Sequence, residues 1–130
     1  MKVCPTCQRH ILVVDDDALV CETVTMLLRF DGHLVDAAMS GEQALAIFQP
    51  RKFDLIITDF FMPAMTGGQL AQSIKTRAPG QPVVLLTAYA ERFRSPGHGL
   101  SGIDSILEKP IAINALRETI IKLTPAQNGT

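Results

Sequence analysis

The chain has 130 residues, about the length of one domain. Hydrophobic residues make up 47% and charged residues 19%, a globular balance that excludes a disordered tail. Twelve Lys and Arg against 13 Asp and Glu leave a net charge of −1, so no broad basic footprint for nucleic acid or an anionic membrane is expected.

No apolar run approaches the ~18 residues of a transmembrane helix, and the first ten residues carry no signal-peptide core. The expected compartment is the cytoplasm. Three cysteines do not make a disulfide framework.

The apolar pattern alternates between two periods. Residues 10–14 (HILVV) form a nearly continuous, β-branched run, as expected of a strand buried on both faces. Leu19, Val20, Val24, Met26, Leu27 and Phe30 then fall at helical spacing over 18–30, with Asp17 as the expected N-cap and Gly32 as the stop. A weaker strand is expected over 33–37. Ser40 with Gln43 predicts a capping box opening a helix through Phe48, closed by Pro50. Residues 54–58 predict the third strand. Thr66 with Gln69 predicts a second capping box, for a helix to about Arg77. Residues 82–86 and 105–107 predict two more strands, and 113–123 a last helix. Between those two strands Pro96, Gly97, Gly99 and Gly102 predict a helix that is short or absent. The segments 1–8 and 125–130 are expected to be loose, leaving 9–124 as one domain.

Strand–helix alternation of this kind requires parallel pairing through right-handed crossovers. The expectation is one α/β domain with a five-stranded parallel sheet and helices on both faces. In such sheets the ligand crevice lies at the carboxyl ends of the strands. Those ends carry Asp15-Asp16-Asp17, Asp59, Thr87 and Lys109. Clustered carboxylates repel unless a cation compensates, and Mg²⁺ takes carboxylates together with waters and phosphate oxygens. Lys109 supplies a point charge suited to a phosphoryl oxygen, and Thr87 a hydroxyl. In that setting an Asp can attack phosphorus and form an aspartyl phosphate.

Four motifs in order carry a resemblance: 11–17 (ILVVDDD), 55–63 (LIITDFFMP), 85–88 (LLTA) and 108–110 (EKP). Together they resemble the receiver domain of bacterial response regulators, over about residues 9–124. The resemblance implies a flavodoxin-like sheet of order 2-1-3-4-5, with Asp59 as the phosphoacceptor for a histidine kinase or histidine phosphotransfer protein. It further implies Mg²⁺, with Mn²⁺ as a substitute, on Asp15, Asp16, Asp59 and the backbone carbonyl of Phe61. Thr87 becomes the switch hydroxyl, Lys109 the phosphoryl contact and Lys109–Pro110 a cis bond. Phe61 and Tyr89, two residues beyond Asp59 and Thr87, are expected to crowd out the hydrolytic water and slow dephosphorylation. Ile106 stands where the family commonly has an aromatic switch residue, which implies a non-standard output surface. The downstream target, or a fused output domain, stays open, as does a homodimer; direct contact with nucleic acid or membrane is not expected.

The enzyme-class alternative is a Mg²⁺-dependent phosphohydrolase resembling the haloacid-dehalogenase superfamily, with Asp15 as nucleophile and Asp17 as acid. Leu19 and the lack of an acidic pair after Lys109 depart from that pattern. His33 and His98 read as surface histidines. Cys4-Pro5-Thr6-Cys7 with His10 is half of a zinc knuckle at most, since four ligands are needed. Cys21 reads as core.

Overall fold

The computed structural model describes residues 8–94 and 101–124. Cys4, Cys7, His98, most of the Pro/Gly-rich stretch and both expected loose ends lie outside them. Strands β1 (His10–Val14), β2 (Leu34–Ala38), β3 (Leu55–Thr58), β4 (Val83–Thr87) and β5 (Ser105–Glu108) alternate with helices α1 (Ala18–Phe30), α2 (Gly41–Ile47), α3 (Gly67–Arg77), α4 (Ala90–Arg94) and α5 (Ile113–Leu123). The sheet is parallel throughout, in the order β2-β1-β3-β4-β5.

Strand alternation splits the core into two layers. Ile11, Val13, Leu55, Ile57, Val84 and Leu86 pack with Cys21, Val24 and Leu28 of α1 and Leu116 and Ile120 of α5. Leu12, Val14, Ile56 and Val83 pack on the other side with Ala44 of α2 and with Leu70, Ala71 and Ile74 of α3. Both faces are covered, which is why these strands read as unbroken apolar runs rather than alternating ones.

The helix ends follow from local hydrogen bonding. Asp17 caps α1, its carboxylate accepting from the Leu19 and Val20 amides. At the other end Gly32 takes φ +91°, its amide donates to Arg29 O, and the His33 amide donates to Leu28 O. This is a Schellman stop, and the positive φ explains the glycine. Thr66 and Gln69 form a full capping box. Ser40 forms only half of one: it accepts from the Gln43 amide, but Gln43 Oε1 accepts from Met39 N rather than from the cap's own amide.

Two expectations need correction. The buried face of α1 is Cys21, Val24, Thr25 and Leu28, while Leu19, Met26 and Phe30 stand open to solvent. The helix therefore carries two apolar stripes, and only one packs on the sheet. The second strand is Leu34–Ala38, one residue later than the pattern indicates, because the His33 amide is taken by the α1 stop. Its ring nitrogen accepts from the Arg9 amide, which makes His33 part of this turn. Among the described residues helix α4 covers Ala90–Arg94, and the stretch over 95–100, where the sequence predicts that it breaks, lies outside them.

Long-range polar ties close the edges. The Arg9 guanidinium donates to the carbonyl and hydroxyl of Thr124, fastening the start of β1 to the end of α5. Arg117 of α5 makes a two-pronged ion pair with Asp31 at the end of α1, at 2.8 and 2.9 Å. That hydrogen bonding holds the Asp31 carboxyl below the usual range. Its stabilisation is present above the unfolded pKa and is lost as pH falls through the lower folded pKa.

One glycine sets the depth of the site. A Cβ on Gly67 would lie 2.2 Å from the Asp59 carbonyl oxygen, and its amide donates to Phe60 O at 2.9 Å. The start of α3 thus rests directly on the backbone behind Asp59. Gly67→Ala is expected to destabilise the fold by about 1–3 kcal/mol, read from the urea midpoint.

Candidate phosphoacceptor site

The parallel register brings the acidic residues together. Val14 pairs with Thr58, so the next residues, Asp15 and Asp59, leave neighbouring strands side by side. The ladder runs one step further: the Asp59 amide donates to Val14 O at 2.9 Å, and the Asp15 amide to Ala38 O at 3.1 Å. Both carboxylates are buried, Asp15 at 2% exposure and Asp59 at 7%, while Asp16 is exposed. Oxygens from Asp15, Asp16 and Asp59 lie within 4.8 Å of one another.

Lys109 reaches this cluster from β5, two strands from β3 and three from β1. Neighbouring strands stand ~4.8 Å apart, so a group at the end of β5 must extend across the end of β4 to reach β3 and β1. A lysine has that length. Its Nζ lies 3.0 Å from Asp15 Oδ2 and 3.3 Å from Asp59 Oδ1. The Lys109 amide donates to Thr87 O, anchoring the side chain's root at the end of β4. The bond from Lys109 to Pro110 is cis.

Charge and solvation oppose each other here. Burial pushes the Asp59 carboxyl above the ordinary carboxylate range; Lys109 works against that rise and the Asp15 charge adds to it. For Lys109, burial pulls the ammonium down, but hydrogen bonding to Asp15 and attraction to both carboxylates outweigh it, and its pKa ends above the usual value. Three ionised carboxylates and one ammonium sum to a formal −2. A divalent cation cancels that charge. Asp15 Oδ1 accepts from the Asp17 amide, whereas the buried Oδ2 has the Lys109 ion pair but no well-directed hydrogen bond. A buried oxygen with unused accepting capacity beside two further carboxylates fits the hard-oxygen ligand set of Mg²⁺.

Thr87 is fully buried, and its hydroxyl oxygen accepts from the Tyr89 amide at 3.1 Å. Among the described residues it donates to no acceptor. Thr58, just before Asp59, donates its hydroxyl to the Asp59 carbonyl. Asp17 is occupied as the α1 cap, as its position suggests. His10 pairs with Asp36 at 3.0 Å, on the sheet and away from this cluster.

Phe61 and Tyr89 belong to a larger aromatic group whose other members, Phe60 and Phe93, the sequence did not single out. Phe61 meets Tyr89 edge to face, with ring centroids 5.4 Å apart. Phe60 contacts Phe61 at 4.9 Å and Phe93 of α4 at 4.7 Å, and Phe61 lies 6.1 Å from Phe93. The available signal was the i, i+4 spacing of Tyr89 and Phe93 together with the Phe60-Phe61 pair beside Asp59. Phe61 and Tyr89 are 45% and 54% exposed. Ile106 is half-buried on β5.

Comparisons with known proteins agree with this geometry. The family model described as the response regulator receiver domain matches residues 11–121. The transcriptional regulatory protein GlrR of Escherichia coli is 35% identical over 111 residues, covering 85% of this chain and 25% of its own length. The aerobic respiration control sensor protein ArcB of the same species is 32% identical over 122 residues, 92% of this chain and 16% of its own. The chain thus spans a quarter or less of these two relatives. Among solved structures, the response regulator TrrA of Thermotoga maritima, in complex with Mg²⁺–BeF, is 33% identical with a TM-score of 0.80, covering 89% of this chain and 99% of that one. A receiver domain from Clostridium thermocellum is 28% identical with a TM-score of 0.82, covering 92% and 96%. With the acidic cluster, the lysine and the sheet order already in place, the chain belongs to the response-regulator receiver family of two-component signalling.

Proposed function

We propose that this receiver takes a phosphoryl group onto Asp59 from the phosphohistidine of a sensor kinase or phosphotransfer protein. The observation that carries this reading is Lys109 Nζ set between Asp15 and Asp59 beside the exposed Asp16. Asp15, Asp16, Asp59 and the Phe61 carbonyl would hold Mg²⁺, with Mn²⁺ as a substitute, and the bound cation would supply charge neutralisation for the phosphoryl oxygens. Lys109 then contacts a phosphoryl oxygen, and the Thr87 hydroxyl donates to another. The domain is a phosphorylation-driven switch rather than an enzyme acting on a separate substrate, and it works in the cytoplasm beside its kinase. Ile106 has no ring to swing, so the output face around β5 responds through packing rather than through an aromatic rotamer.

The phosphohydrolase alternative requires Asp15 as nucleophile and Asp17 as proton donor. Asp17 already accepts two backbone hydrogen bonds as the α1 cap, and that role weighs against it. The position of the label separates the two. After incubation with Mg²⁺ and acetyl phosphate, mass spectrometry is expected to find one phosphoryl group on Asp59, absent from Asp59→Asn. Label on Asp15, or labelling of Asp59→Asn at the wild-type rate, refutes the assignment.

The electrostatics yield a stability prediction. The Asp59 pKa is raised on folding, so stability falls as pH rises from the unfolded pKa through the folded one. Asp59→Asn therefore has a higher Tm than wild type at pH 7, a gain that disappears towards pH 3. Mg²⁺ at about a hundred times its Kd adds roughly 2.7 kcal/mol to the wild type, and the Asp59→Asn variant responds less.

Phe61 and Tyr89 border the path of a hydrolytic water and offer no strong base. Phospho-Asp59 should decay slowly, and Phe61→Asn with Tyr89→Glu should accelerate that decay by about tenfold or more. An unchanged half-life in the double variant removes both rings from the hydrolysis step.

A further inference from the structure

At the far end of the sheet from Asp59, where the strands start, the loops enclose a second concavity. Its volume is about 630 Å³, and four segments build it: the residues before β1, the α2–β3 loop, the α3–β4 loop and the end of α5. Small-molecule sites typically occupy ~300–1,000 Å³. Cations gather on this one. Arg51, Arg77 and the buried Arg9 line it, against a single carboxylate, Asp54. Arg9 holds Thr124, also on the lining, and so fixes that wall. Arg77 commits one guanidinium nitrogen to the Leu45 carbonyl. Among the described residues the exposed Arg51 side chain makes no ion pair or hydrogen bond. Arg51 also holds φ +71°, a left-handed conformation that glycine adopts without strain and arginine does not. Gly80 shows the reverse. Its φ is not left-handed and a Cβ there meets nothing within 4 Å, so neither backbone nor packing asks for glycine. What its missing side chain keeps open is the cavity it lines.

We propose that this cavity binds a nucleoside phosphate, with Arg51 and Arg77 on its phosphates. A guanidinium is a planar fork that matches phosphate oxygens two at a time, and both arginines have donors to spare. The cavity is far larger than a phosphate group needs. Part of its lining is apolar, with Pro50, Phe53 and Pro79, a surface that an inorganic anion cannot use and a flat heterocycle can. Asp54 Oδ2 accepts from the His10 amide, which leaves Oδ1 as an acceptor for a ribose hydroxyl or an exocyclic amine. That same carboxylate disfavours a bare polyphosphate. Binding here is non-covalent and requires no metal. Without a divalent cation the carboxylates of the Asp59 cluster repel phosphate, so the two ends of the sheet are separable by experiment.

The test is isothermal titration of the full chain, in EDTA, with ADP, GDP, adenosine and pyrophosphate as the probes. One nucleotide at least is expected to bind at a single site with a Kd of about 100 µM or tighter, and adenosine and pyrophosphate roughly tenfold or more weaker. Arg51→Asn, which tolerates the left-handed backbone, and Arg77→Ala should each weaken nucleotide binding about tenfold. Gly80→Leu places a side chain in the cavity, starting from a Cβ that meets no atom of the fold, and should abolish binding. Lys52→Ala removes a neighbouring cation outside the lining and should leave Kd within about twofold. The Tm of each variant checks that it is folded. No binding of ADP or GDP at ~1 mM overturns the proposal. So does pyrophosphate or adenosine binding as tightly as the nucleotides, or an affinity that survives Gly80→Leu and both arginine variants. A loss in Lys52→Ala equal to that in Arg51→Asn reduces the effect to general charge attraction and also overturns it.

Discussion

Two carboxylates removed from water on neighbouring strand ends dominate this molecule's physical chemistry. Asp15 and Asp59 are placed side by side by the β1–β3 register, and their repulsion is answered by one ammonium reaching over from β5. That compensation is incomplete. Asp59 stays harder to ionise than a free carboxylate, and the cluster keeps a formal excess of negative charge. A site in this condition favours a divalent cation, which would relieve an electrostatic imbalance that folding imposes.

The imbalance is tolerable because the scaffold under it is rigid and dry. Both sheet faces are covered, and the central strands carry almost no exposed side chain. The ladder continues past the strand ends into the Asp15 and Asp59 amides, so the carboxylates start from fixed backbone. Gly67 lets α3 press against the Asp59 carbonyl, where any larger residue would force the loop outward.

The loops beyond the strands divide the labour of the site. Charged groups grow from strand ends, whose positions the sheet sets, and they suit chemistry that requires fixed distances. The aromatic rings grow from the residues just beyond, and two of them face solvent. One rim therefore carries a charged interior and an apolar border.

Much of this was legible in the residues themselves. The strands announce themselves because a sheet covered on both faces needs near-continuous apolar runs such as 10–14 and 83–87. Asp17, Gly32 and Thr66 mark helix ends because capping is decided within a few residues of the chain. The acidic and basic site residues could be listed because each ends a strand, and parallel strands all end on the same side. What needed the fold was whatever depends on neighbours distant in sequence. The apolar positions of α1 do not say which stripe packs, because Leu19, Met26 and Phe30 have the same helical period as the residues that touch the sheet. The length required of Lys109 becomes apparent only when β4 lies between β5 and the carboxylates. Phe60, Phe61, Tyr89 and Phe93 form one surface only because β3 and β4 are neighbours, a fact of strand order that no local pattern carries. Sequence settled what is local or periodic; the tertiary structure settled which distant residues share a surface, because register and strand order follow from packing of the whole chain.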